Sequence, residues 1–251
     1  MLWTKAWLET RWRFLIGFGL LLCSAAGTVL QYPMVVKLIP LVPTNVGGMV
    51  GERIREAAEL ARTYRGFIWS HWFRESVSQG ATFFAVLLGT ASLLSPSRGA
   101  LFTLSMPVTR QRLLGVRAAA GLAELFVLAF IPSLLIPFLS PAVGESYGLG
   151  TTLIYSLCLF VACSVFFALA FLLSTVFDDI WRPLLIALGV AFALAIFDQV
   201  LDFPAHSLFG VMSGATYFHG GGLPWGGLLL SAVASALLYY GAVTNIARRD
   251  F

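Results

Sequence analysis

"LFTLSMPVTRQRLLGVRAAAGLAELFVLAFIPSLLIPFL", from Leu101 to Leu139, joins two kinds of chain. Its first half carries Arg110, Arg112 and Arg117 with no acidic residue. Its second half is apolar apart from Glu124. A helix crossing about 30 Å of hydrocarbon needs about 20 predominantly apolar residues. The second half meets that requirement, so residues 114–139 read as a membrane-crossing helix whose basic end stays at the surface.

The remainder of the chain supports this reading. Of its 251 residues, 59% are hydrophobic and 11% charged, and mean hydropathy is +0.86. A soluble domain carries about 25% charged residues, so the composition is that of an integral membrane protein. Cys23, Cys158 and Cys163 all lie in apolar runs and read as packing residues. The first apolar run is too long for the core of a cleavable signal peptide.

Charge-free runs and their Gly/Pro interruptions predict spans at about 14–36, 76–96, 114–139, 151–176, 183–201 and 224–246. The expected fold is an all-α polytopic membrane protein of six transmembrane helices, with residues 1–251 forming one transmembrane domain. Lys and Arg set the orientation. With both termini cytoplasmic, the inner side holds ten: Lys5, Arg11, Arg13, Arg98, Arg110, Arg112, Arg117, Arg182, Arg248 and Arg249. The outer side holds six: Lys37, Arg53, Arg55, Arg62, Arg65 and Arg74, all in one long loop that Glu52, Glu56, Glu59 and Glu75 balance.

Three further segments are amphipathic. In residues 1–13, Trp3 and Trp7 lie four apart, as do Lys5 and Glu9. Tryptophan favours the headgroup level, so an interfacial helix is expected there; a spanning helix that begins early is the alternative. Within the extracytoplasmic segment 44–75, Val50, Ile54, Ala57, Ala61, Tyr64 and Ile68 repeat with a helical period. This predicts an outer-surface helix ending in Phe67, Trp69, Trp72 and Phe73, either a lid or a substrate site. The third segment is 97–110. Leu101, Leu104 and Phe102 form an apolar side, Pro107 ends the helix, and Thr109 is placed to cap the next one. The chain thus makes a short helix parallel to the membrane before it dives back, in a shape suited to a cleft on a soluble partner.

The run "GALFTLSMPVTRQRLLGVRAAAGL" resembles the signature of type-2 ABC transporter permeases. Gly99, Leu101, Leu104, Pro107, Val108, Thr109, Arg110 and Leu114 match its pattern. The basic, Trp-containing opening, the "FPAHSLF" segment and the "ARRDF" ending fit as well. Ser95-Pro96-Ser97-Arg98 stands where members usually carry acidic residues. The resemblance implies a coupling helix at 97–110, formed by Gly99, Leu101, Phe102, Leu104, Pro107, Thr109 and Arg110. It implies two copies of an ABC ATPase subunit, which hold the ATP and Mg, and a second permease subunit, identical or not. It also implies a prokaryotic plasma (inner) membrane location and, by the family's habit, export.

The chain's own chemistry is consistent with that role. A phosphate-cradling loop needs Gly-x4-Gly-Lys-Ser/Thr, but the only lysines, Lys5 and Lys37, do not follow a glycine. No cofactor and no nucleic-acid partner are expected for the chain itself. An ATP-independent channel, scramblase or assembly factor is the alternative. Ser213 near His219 invites an intramembrane-protease reading, but the two share one Gly-rich segment, with no separate element to orient a base. Three histidines without a His-Glu-x-x-His pair give no zinc site.

Glu124 lies within span three, and an intramembrane acid is a functional hypothesis by default. It faces a central cavity, pairs with Arg117 on the same helix face, or is protonated. Asp198, at the outer end of span five with Asp202, is a further candidate for the pathway or for snorkelling to water.

Overall fold

The computed structural model describes residues 2–39, 48–90, 110–177, 179–201 and 207–248. They are helical almost throughout, with no strand among them. The helices are α1 (Leu2–Leu38), α2 (Gly48–Ala61), α3 (Tyr64–Ile68), a π-helical stretch (Trp69–Ser76) and α4 (Val77–Gly89). They continue with α5 (Arg110–Leu139), α6 (Leu149–Val176), α7 (Trp181–Leu201), α8 (Leu208–Ser213), α9 (Ala215–Phe218) and α10 (Trp225–Arg248).

Five of these helices are long and apolar enough to cross a membrane: α1, α5, α6, α7 and α10. The chain is therefore a multi-pass, all-α membrane protein. The last three keep the expected limits to within two residues, and α5 starts four residues before 114. Of the span expected at 76–96, the described part is α4; residues 91–96 lie outside the described residues.

The bundle is built around α6, which packs against α4, α5, α7, α8 and α10. Its buried residues, among them Tyr155, Leu159, Ala162, Phe166 and Phe171, occupy most of its circumference. A helix that is apolar all round belongs in such a central position. By contrast α7 and α10 expose Leu185, Phe192, Phe197, Leu229, Leu230 and Leu237, side chains suited to lipid.

Helices α1 and α5 lie alongside each other and run parallel. Near their starts Arg117 reaches Glu9 at 3.6 Å. Near their ends Tyr32 packs edge-on to Tyr64, whose hydroxyl is 2.7 Å from Ser140 Oγ. Helix α4 runs back along α1, so that Arg13 Nη1 donates to the Leu87 carbonyl at 3.0 Å.

Two local expectations are corrected. Residues 2–13 are not a separate element: one helix runs unbroken from Leu2 to Leu38. No Gly or Pro interrupts it before Gly17, and Glu9 and Thr10 are held to α5. The outer segment is not one helix either. It stops at Ala61 and restarts at Tyr64, where Thr63 (φ −112°, ψ 138°) accepts from Gly66 N as an N-cap. Beyond it Phe67, Trp69, Trp72 and Phe73 lie in the core rather than on the surface. Their burial is possible because both indoles find acceptors: Trp72 Nε1 donates to Ser133 Oγ at 3.2 Å, and Trp69 Nε1 to the Ser213 carbonyl at 2.9 Å.

Candidate functional site

Most of the coupling segment lies outside the described residues: Gly99, Leu101, Phe102, Leu104, Pro107 and Thr109. Of that set only Arg110 is described, as the first residue of α5. Two polar clusters stand out among the described residues, one between α1 and α5 near their starts, the other at the opposite end of the bundle.

The first cluster joins the N-terminal parts of both helices. Arg117 and Glu124 are seven apart and share the face of α5 that meets α1, but each takes a partner from α1. Arg117 Nη2 pairs with Glu9 Oε2 at 3.6 Å. Thr10 Oγ1 lies 2.5 Å from Glu124 Oε1 and 3.1 Å from the Ala6 carbonyl. Its single proton serves one of them at a time. Glu124 is 4% exposed, and its Oε2 has no hydrogen-bond partner among the described residues. That carboxylate lines a groove of about 510 Å³ between the two helices, together with Trp3, Trp7 and Phe14.

The ion pair is asymmetric: the Arg117 side chain is 11% exposed, the Glu9 side chain 42%. Removing one partner of a buried pair strands the other. Glu9→Ala therefore costs more than Arg117→Ala, because the stranded guanidinium is buried whereas a stranded Glu9 reaches water. We expect Glu9→Ala to approach the low end of the about 3–5 kcal/mol seen for broken buried pairs, and Arg117→Ala to stay below it. Thermal unfolding of the two variants in one detergent checks the order; equal midpoints would contradict it.

The second cluster sits at the opposite end. Tyr64 and Tyr147 meet edge-on with ring centroids 6.2 Å apart, and Tyr155 meets Phe73 at 4.6 Å and Tyr217 at 5.6 Å. Burial pushes the Tyr64 and Tyr147 phenols upward, and the Tyr147 hydroxyl has no hydrogen-bond partner among the described residues. Arg65 lies 5.7 Å over the Phe218 ring.

A second groove, of about 500 Å³, opens between α5, α6 and α10. Its walls are apolar, from Leu122, Phe160, Phe167 and Tyr239, and a Ser164–Ser235 hydroxyl contact at 2.8 Å crosses it.

The remaining sequence candidates separate. Asp198 lies near the end of α7, half-buried. Asp179 caps the start of α7, accepting from Arg182 N at 2.9 Å. Ser213 and His219 stand on either side of α9, not in a flexible loop. Ser213 Oγ donates to the Gly210 carbonyl at 3.2 Å, while the His219 ring packs edge-on to Trp69. Each is tied into the fold separately, so no Ser–His pair forms. The tyrosine cluster was missed in the sequence; its signal is the recurrence of Tyr at helix ends on the same side of the bundle.

Compared with family models, curated proteins and solved structures, the chain matches none.

Proposed function

We propose that this chain is the permease subunit of an ATP-driven ABC transporter, forming the membrane pathway for export and driven by a separate ATPase subunit. The observation that carries this reading is the run from Gly99 to Leu114, with Leu101, Leu104, Pro107, Thr109 and Arg110 in the type-2 permease pattern. Two features are compatible with it. The basic helix α5 begins at Arg110, directly after that run. The chain is multi-pass and has no Gly-x4-Gly-Lys-Ser/Thr loop of its own. In this reading six spans have both termini in the cytoplasm, two permeases pair face to face, and ATP closure on two ATPase subunits rocks them. Gly226 of α10 and Gly19 of α1, where an added Cβ meets nothing within 4 Å, allow close helix approach in such a pair.

The test is purification from native membranes in mild detergent with mass spectrometry of what remains bound. A soluble ATPase of about 25–35 kDa, one to two domains, is the expected companion. Recovery of a chain that works without any ATPase would overturn the reading in favour of a channel or scramblase.

A further inference from the structure

We propose that the groove between α1 and α5 binds a lipophilic ammonium, with the Glu124 carboxylate as its counter-ion and the indoles of Trp3 and Trp7 as its walls. The groove's composition selects the ligand. Among the residues that line it, Glu124 is the only ionisable group; the others are Thr4, apolar side chains and the two tryptophans. An apolar lining calls for an apolar ligand body, and a volume of about 510 Å³ falls within the about 300–1,000 Å³ of small-molecule sites.

Charge decides the ligand's head. Glu124 is 96% buried by its exposure of 4%, and Oε2 accepts nothing. A buried carboxylate without a cation is costly, and one at membrane depth more so. Two cations of the described residues on these helices point elsewhere: Arg117 pairs with Glu9, and Arg13 donates to the Leu87 carbonyl. An ammonium entering the groove supplies the missing charge and a donor for Oε2. Trp3 and Trp7, 57% and 41% exposed, offer faces to a cation, and tryptophan is the best aromatic for that purpose. An anionic amphiphile of the same size is rejected by the same carboxylate. Either a primary-amine lipid headgroup or a free lipophilic amine fits this chemistry.

The experiment uses the full chain in phosphatidylcholine nanodiscs, with empty nanodiscs as blank and tritiated dodecylamine, a primary ammonium at neutral pH, as probe. Binding is read without an ATPase, so it stands or falls separately from the permease reading. We expect saturable binding above the blank, weakened at least about tenfold by Glu124→Gln, the loss of one charge-assisted contact. Glu124→Asp retains part of the affinity, and Trp7→Ala lowers it several-fold. Dodecanol, the same chain without the charge, does not displace the probe. Nanodiscs containing phosphatidylethanolamine separate the two sources. Competition there assigns the groove to the lipid headgroup; unchanged binding assigns it to a free amine. Equal binding by wild type and Glu124→Gln, or displacement by an equal concentration of dodecanol, overturns the proposal. Should Glu124→Gln fail to fold, unchanged binding by Trp7→Ala, whose side chain stands on the open wall, overturns it as well.

Discussion

Gly89→Leu is expected to yield no folded protein. Gly89 ends α4 where it crosses α6, and a Cβ placed there would stand 2.5 Å from the Phe167 carbonyl oxygen, 2.8 Å from Ala170 Cβ and 3.1 Å from Phe171 N. Two of those three atoms are backbone of the central helix, so no rotamer change relieves the contact. The helices must move apart, and the core around the buried Phe167 and Phe171 loosens with them. Overpacking a core by methylenes costs about 1–3 kcal/mol even where side chains can shift. A leucine pressed against backbone exceeds that range, against total stabilities of about 5–15 kcal/mol. The control is Gly189→Leu on α7, where an added Cβ meets nothing within 4 Å. Size-exclusion profiles in detergent should show a monodisperse peak for Gly189→Leu and aggregate for Gly89→Leu. Indistinguishable profiles would refute the packing argument.

Leu101→Asp and Leu104→Asp are expected to abolish ATP-driven transport while leaving the protein at normal level in the membrane. If these leucines fill an apolar cleft on an ATPase, each aspartate places an unpaired carboxylate in the contact, at a cost of several kcal/mol. That is enough to separate the subunits, since about 1.4 kcal/mol is already tenfold in affinity. Reversing the charge at Arg110 acts more mildly if it sits at the rim, where ion pairs are worth about 0–1 kcal/mol. The measurement pairs immunoblots of membrane fractions with transport and ATPase activity of the reconstituted complex. Normal transport by both leucine variants would reduce the segment to a connecting loop. This outcome and that of Gly89→Leu differ in kind: one removes function from a folded chain, the other removes the fold.

The spans were legible because bilayer thickness imposes a length on every apolar run. Val176 ends α6 two residues before Asp178-Asp179 in the sequence, and Trp225 opens α10 directly after Pro224. The partners of Glu124 were not legible. Spacing along one helix shows that Glu124 and Arg117 share a face, but not which neighbour that face meets. Thr10 and Glu9 come from a helix more than 100 residues away, and only packing brings them there. The aromatic run from Phe67 to Phe73 was misread for a related reason. It follows a segment of alternating charge, which suggested a surface. Yet its indole N–H groups can be buried once Ser133 and Ser213 arrive to accept from them, and nothing local announces those acceptors.

The parallel pair α1–α5 is fastened at both ends, by Glu9–Arg117 and Thr10–Glu124 at one and by Tyr32, Tyr64 and Ser140 at the other. Contacts at both ends resist sliding of one helix along the other, so a tilt of the pair as one body is the less costly displacement. From Arg110 to Ile131, before Pro132 interrupts the ladder, α5 measures about 33 Å at 1.5 Å per residue. Tilting an arm of that length by about 5° displaces its tip by about 3 Å, roughly the width of a water molecule. A tilt of that size needs neither fastening to break.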